Sequence, residues 1–420
     1  MSDRSTLLSS EGPPSTATTT LAQPLIGDLK VIDYIKEGKE ILDAPDHLQM
    51  ATVQVNDSRP LSYTGRDFDL HGGIGQTMDA ARNAAIGEAI ERYCLSVVSQ
   101  EEFTDGPYTG GRQIDPERFN NLPQNLDDEA TYHWVNAVDL QSDYRVELPG
   151  HIVYCPFYDQ NKYIRSPITT GAAAHTSYRK AVKAGILEVI EREAFIINYL
   201  HEIPGCQIPE SVIRNSSASN IVSAFEESRF RVNLVYLSLD LPVHAVLCVL
   251  WDHQLEFAAF GLSAGFDFEE TMIDATSEAY HVYPWQRTVD PELHSPEDIV
   301  DLQTRAEYWR AKGQDWDGIA HWMETDSEQF QKVEAVSTLS ELLSSLEQKG
   351  LSVYVKDITT KDVAPYGFKA VRVVIPECHP LYLNERFRYT AGERLSKAPE
   401  NAGLKTAESE SLNTIPQPFL

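Results

Sequence analysis

The pattern Glu-x-x-Glu-Arg occurs twice in this chain, each time inside a largely apolar, helix-forming run, and nothing else in the sequence restricts the fold as much. The first copy is Glu88-Ala89-Ile90-Glu91-Arg92 and the second is Glu188-Val189-Ile190-Glu191-Arg192. Ala, Leu, Ile, Glu and Arg dominate both neighbourhoods, and no proline falls in residues 78–98 or 177–203, so each copy predicts a helix. Glutamates three apart share a helical face, where like charges repel by a few tenths of a kcal/mol in water and by far more when buried. The flanking residues Ala84, Ala85, Ile86 and Ile90, and likewise Ala184, Gly185, Ile186 and Ile190, predict burial. Four carboxylates arriving at one interior site suit a hard cation such as magnesium, which takes oxygen ligands and usually brings phosphates with it.

Each predicted helix follows a segment of small residues. Before the first stands His71-Gly72-Gly73-Ile74-Gly75, which reads as a tight turn and lacks the Gly-x-x-x-x-Gly-Lys-Ser/Thr pattern of a P-loop. Before the second stands Thr169-Thr170-Gly171-Ala172-Ala173-Ala174. A third helix is expected over residues 269–283. There Asp274, Glu278 and His281 fall at i, i+4 and i+7 on one stripe, which makes Glu278 and His281 candidates for the same acidic site.

Composition narrows the partners. The chain has 420 residues, 63 acidic against 35 basic, and a formal charge of −28, which argues against a broad nucleic-acid-binding surface. Its five cysteines, Cys94, Cys155, Cys206, Cys248 and Cys378, are scattered without a Cys-x-x-Cys pair, so neither a disulfide framework nor a zinc site is expected. No run of 18 apolar residues and no secretion signal is present, so a cytoplasmic protein away from the membrane is expected.

Residues 1–24, rich in Ser, Thr and Pro, read as a disordered leader, and residues 25–62 as a small N-terminal element. Two strands are expected between residues 132 and 158, turning at Pro149-Gly150. Further strands are expected over 232–237, 243–250, 353–358 and 369–375. Residues 288–330, with Trp309, Trp316 and Trp322, read as surface helices. Without a regular βαβ cadence the fold class is α+β with mixed or antiparallel sheets. Residues 401–420 read as a tail stiffened by Pro416 and Pro418.

Together these segments resemble the YcaO family, from about Tyr63 onward. Its signature Ser-x-x-x-Glu-x-x-Glu-Arg is matched by residues 84–92 with Ala84 in place of Ser. The second motif is similar to Leu187-Glu188-Val189-Ile190-Glu191-Arg192-Glu193, where Glu193 stands in place of Asp. The Glu-Ala-x-Gln motif is similar to Glu278-Ala279-Tyr280-His281, with His for Gln, and the fourth motif is Val371-Arg372-Val373-Val374-Ile375-Pro376. Gly73-Ile74-Gly75 lacks the lysine of the common Gly-Lys-Gly version.

The resemblance implies a YcaO-type ATP-binding catalytic domain over residues 63–400, with ATP and Mg2+ as cofactors. Glu88, Glu91, Glu188, Glu191 and Glu278 would be the metal ligands. Arg92 and Arg192 would be phosphate contacts or partners of the glutamates, and His281 would line the nucleotide site. Within the family, azoline-forming members resemble one another in a Pro-x-Pro-x-Pro tail that reaches the active site. Ile415-Pro416-Gln417-Pro418-Phe419-Leu420 keeps two of those prolines, so Pro416, Pro418 and Leu420 are expected there.

The implied activity is ATP-dependent cyclodehydration of a ribosomal precursor peptide, turning Cys or Ser/Thr into thiazolines or oxazolines. The alternatives are a family member that makes a thioamide or amidine, and a non-catalytic peptide-binding scaffold. A leader-binding, E1-like (ThiF-like) partner is expected to be a separate protein. A flavin-dependent azoline dehydrogenase is a further expected partner, and the family suggests a homodimer.

Overall fold

Three antiparallel sheets frame the molecule, and each has at one edge the strand that feeds a long helix. The computed structural model describes residues 18–27, 30–38, 48–56, 70–127, 129–157, 164–313, 315–323, 330–406 and 411–419. Strands β1 (Ile32–Glu37), β2 (Gln49–Val55) and β3 (Leu70–Gly75) form the first sheet in that order, and β3 runs into helix α1 (Met78–Ser96). Thr77 caps this helix by accepting the Ala80 N–H.

The second sheet contains β4 (Thr104–Pro107), β5 (Thr131–Asp139), β6 (Arg145–Pro149) and β7 (Ala172–His175), the last leading into α2 (Tyr178–Leu200). After β8 (Cys206–Gln207) and α3 (Ser219–Glu226), three long strands follow: β9 (Phe230–Tyr236), β10 (His244–Asp252) and β11 (Phe257–Gly265). These make the third sheet, ordered β11-β10-β9-β8, and β11 leads into α4 (Phe268–Thr288). Then come α5 (Leu302–Lys312), α6 (Leu339–Gln348), β12 (Tyr354–Asp357), β13 (Lys369–Val374) and α7 (Glu393–Asn401). Strands β12 and β13 complete the second sheet as β4-β5-β12-β13-β7, with β6 on β5. Every pairing between these strands is antiparallel.

Both faces of the third sheet are covered. Along β10, Leu247 and Val249 enter one apolar cluster with the second half of α2, while Val246, Cys248 and Leu250 enter another with α4. This is why the strand reads as an unbroken apolar run rather than an alternating one.

Four sequence expectations change. Gly72-Gly73-Ile74-Gly75 lies in strand β3, not in a turn. A Cβ on Gly73 would sit 2.2 Å from the Ala85 nitrogen and 2.3 Å from the Ala81 oxygen, so α1 packs on β3 at a distance only glycine permits. The β5–β6 reversal lies at residues 140–144, with Asp143 at φ 60°, and Pro149 ends β6 instead of making the turn. In the expected leader, residues 1–17 lie outside the described residues, but Thr18–Ala22 is helical and docks on α1, where Thr19 Oγ1 donates to Asn83 Oδ1 over 3.1 Å. Residues 288–330 are not a purely surface region, since Trp309 and Trp322 are buried.

Candidate active site

The three edge strands β3, β7 and β11 and their helices are three copies of one unit. Helices α1, α2 and α4 begin at Met78, Tyr178 and Phe268, each three residues beyond the strand ends Gly75, His175 and Gly265. Glu88, Glu188 and Glu278 each stand 13 residues beyond the strand end, and Glu91, Glu191 and His281 each 16 beyond it. The units interlock in a ring: α1 packs on β7, α2 on β11, and α4 on β3.

The ring is drawn together by backbone groups that an edge strand would otherwise leave unpaired. Glu188 Oε2 accepts the N–H of Gly171, just before β7, over 2.8 Å, and Glu278 Oε2 accepts that of Leu262 on β11 over 3.1 Å. The residue three further along reaches the next unit: Glu191 receives a backbone hydrogen bond from Ala264 on β11. His281 Nε2 lies only 2.1 Å from where a Cβ of Gly72 on β3 would be, so glycine there makes room for the imidazole. Asp274, earlier on the same stripe, is exposed and outside the ring.

All five glutamates are thus brought together with both arginines. Arg92 lies 3.2 Å from Glu91 and 3.7 Å from Glu88. Arg192 pairs with Glu191, lies 3.5 Å from Glu188, and bridges to Glu278 of the next unit at 3.7 Å. Five partly buried carboxyl groups outnumber the two arginines that pair with them. Burial pushes the Glu91 carboxyl up to about 8, opposed by Arg92 and reinforced by Glu188 and Glu88. Burial likewise pushes Glu191 up to about 8, against Arg192 and with Glu278 and Glu188 adding. Glu278 rises to about 7 for the same first reason.

An excess of oxygen donors, several with one oxygen fixed by a backbone N–H, fits hard divalent cations. Among the described residues, the only three-donor group with ligand atoms within 4.8 Å of one another is Glu292, His294 and Glu307, on other elements. The ring carboxylates are therefore spread more widely than one ion's coordination sphere.

The role of Arg372 escaped the sequence reading, which quoted it only within a motif. Arg372, on β13, is buried among the same groups and donates to the Ile152 oxygen at 3.3 Å and the Thr169 oxygen at 2.5 Å. Burial lowers it to about 10. With Arg165 and Arg192 it lines a small void. An arginine inside the apolar run Val371–Ile375 was the available signal.

The sequence reading expected Pro416, Pro418 and Leu420 at this site. Pro416, Gln417, Pro418 and Phe419 are buried, and the Arg192 guanidinium lies 4.2 Å from the centre of the Phe419 ring. Leu420 lies outside the described residues.

The family model described as "YcaO cyclodehydratase, ATP-ad Mg2+-binding" matches residues 72–379. A relative from Methanothermobacter thermautotrophicus, itself described as an uncharacterized protein, is 29% identical over 337 residues, 76% of this chain and 83% of its own length. Among solved structures, a heterocyclase in complex with substrate and cofactor superposes with a TM-score of 0.75 at 17% identity, over 96% of this chain. This chain spans only 57% of that heterocyclase. A protein from Methanopyrus kandleri bound with AMPPCP and Mg2+ gives 0.67 at 20% identity, over 90% of this chain and 92% of its own. The E. coli microcin synthetase McbBCD complex gives 0.56 at 15% identity, over 91% of this chain and 96% of that one. At these identities the superpositions establish the fold alone.

Proposed function

Because the chain belongs to the YcaO family, whose members bind ATP and Mg2+, we propose that it is a cyclodehydratase that activates a backbone amide of a ribosomal precursor peptide. The observation that carries this is the ring: five glutamates from three separate helices meet at one place and outnumber the arginines Arg92, Arg192 and Arg372 set among them. In the proposed reaction a Cys thiol, or a Ser or Thr hydroxyl, of the peptide attacks the preceding amide carbonyl. The attack closes the ring and releases the thiol or hydroxyl proton; the oxyanion so formed takes the γ-phosphoryl group, ADP leaves, and loss of phosphate and of the amide N–H proton forms the C=N bond of the thiazoline or oxazoline. An amide oxygen is a poor leaving group, and phosphorylation makes it a good one.

Glu88, Glu91, Glu188, Glu191 and Glu278 are the proposed metal ligands, and bound magnesium would supply charge neutralisation for the triphosphate. Arg92 and Arg192 hold the glutamates in register and face the phosphates. His281 occupies the sixth position of the ring and is assigned to the nucleotide. Pro416 and Pro418 stiffen the segment that brings Phe419 to Arg192. Binding and orientation of the peptide against these fixed charges is the remaining part of the catalytic work.

The similar structures support a substrate and partner proteins in general. One heterocyclase is bound to a substrate, and the microcin synthetase is a multi-protein complex. We assign this chain a precursor peptide, an E1-like leader-binding partner, a flavin-dependent azoline dehydrogenase acting after it, and a homodimeric state.

The test combines the protein, its partner, a precursor peptide and Mg·ATP. Phosphate release should accompany loss of one water per ring, with the cysteines becoming resistant to alkylation. Glu191→Gln should lower phosphate release by on the order of 100-fold, the scale of losing one charge-stabilising group in such a site. An oxygen-to-sulfur mass change would instead identify a thioamide maker. Product formation that survives Glu191→Gln unchanged, without phosphate release, would identify a scaffold.

A further inference from the structure

We propose that Arg305 is a positioning residue for this site, acting through residues 415–419 to hold the Phe419 ring against Arg192; the proposal rests on the ATP-dependent reading above. Arg305, on α5, is fully buried, and its guanidinium has three acceptors. Nη1 donates to Glu385 Oε1 at 2.8 Å and to the Gln417 carbonyl at 2.5 Å, and Nη2 donates to the Leu383 carbonyl at 2.6 Å.

The rest of the seat repeats the same purpose. Trp309 Nε1 donates to the carbonyls of Pro416 and Gln417, both at 3.2 Å. Tyr199, on the active-site helix α2, shares its hydroxyl proton between the carbonyls of Ile415 at 2.9 Å and Pro416 at 3.0 Å. The Gln417 side chain donates to the Tyr382 carbonyl at 3.2 Å and accepts the Phe419 N–H at 2.6 Å. At the end of this series the Phe419 ring packs on Phe195 and lies under the Arg192 guanidinium, whose nitrogens pair with Glu188, Glu191 and Glu278.

A buried ion pair such as Arg305–Glu385 is weak evidence of stabilisation, because its desolvation cost rivals its attraction. What such a pair does supply is one geometry. A fork of fixed donors aimed at three oxygens locates a backbone more tightly than apolar packing would. The ring it locates then limits where a cation at the nucleotide site can go, since a guanidinium over an aromatic face is held there by attraction. Proline on either side of Gln417 leaves few other paths for the chain between the Arg305 fork and Arg192.

The experiment uses the full chain with its partner and peptide, and reads Mg·ATP affinity by calorimetry, KM and kcat for ATP, and Tm. Arg305→Lys keeps the charge beside Glu385 but cannot reach all three acceptors. Phe419→Ala removes the brace without burying a charge. Both should raise KM for Mg·ATP about tenfold, with Tm within a few degrees of wild type. Phe419→Tyr, which keeps the ring, should restore wild-type KM, and the double variant should be no worse than the more impaired single one. Wild-type KM in Phe419→Ala, or effects that multiply in the double variant, overturns the positioning role while leaving the enzyme reading intact. Wild-type protein that binds no Mg·ATP overturns both.

Discussion

Glu91 and Glu191 are carboxylates that the fold keeps from ionising easily: each is mostly buried, each has another glutamate nearby, and burial pushes both up to about 8. A carboxyl whose folded value lies above its unfolded value binds more protons folded than unfolded. Its stabilising effect is therefore complete below the unfolded value and disappears as pH rises through about 8. Metal-free protein should lose stability between pH 5 and pH 8 on account of these residues, and magnesium with ATP should reverse that loss because metal ligation needs the ionised form. Binding of Mg·ATP should accordingly release protons, most strongly near pH 7 and hardly at all above pH 9. Calorimetry in buffers of different ionisation heat measures this directly. Proton-neutral binding at pH 7 would show that the carboxylates are already charged and that the cluster is not built as described.

At the scale of the element, the controlling contact is that of each edge strand with its own helix. On β11, a Cβ on Gly261 would lie 2.2 Å from both the Ala275 oxygen and the Ala279 nitrogen, and backbone atoms cannot rotate away. Gly261→Ala should force α4 off the strand and cost about 1–3 kcal/mol, the usual penalty for overpacking. It should also weaken Mg·ATP binding, because Glu278 takes its backbone anchor one residue further along, at Leu262. Gly87, on α1 beside the metal-ligand candidate Glu88, has nothing within 4 Å of its Cβ position. Gly87→Ala should raise stability by about 0.5–1 kcal/mol through helix propensity alone. Urea titrations of the two variants give both signs, and an unchanged midpoint for Gly261→Ala would refute the close-contact argument. These contacts also show where the sequence was legible. The glutamate pairs declared themselves because two charges inside apolar helical runs are costly and rare. The glycines of β3 were mistaken for a turn, because close approach of a helix demands the same residue that a turn does. The third unit was seen as a stripe and as a separate motif but not as a copy of the other two, since His281 interrupts the Glu-x-x-Glu pattern that marks them. Trp309 and Trp322 looked superficial amid charged neighbours, and partners far away in sequence explain their burial: Phe260 and the carbonyls of Pro416 and Gln417 for Trp309, Phe195 and Tyr199 for Trp322.

At the scale of the whole molecule, the site belongs to no single sheet. Its ligand candidates lie near residues 91, 191 and 281 of three units, and each unit's helix is seated on the next unit's strand, so displacing one sheet alters all six ring positions. A ligand that contacts all three units is thus linked to unfolding of the entire ring rather than of one part. The chain also carries a formal charge of −28, and a bare triphosphate brought to five glutamates meets repulsion from near and far. Magnesium converts that repulsion to attraction, which fixes the order of effects in a thermal melt. ATP with EDTA should leave Tm unchanged or slightly lower. Mg2+ alone should raise it slightly. Both together, at about 100 times Kd, should add roughly 2.7 kcal/mol, a shift of several degrees in a single cooperative transition. If ATP with EDTA stabilises as much as Mg·ATP, the carboxylates do not act through a metal. If instead only part of the melting curve moves, the three units unfold independently, and the ring is a contact between separate bodies rather than the structure on which the fold depends.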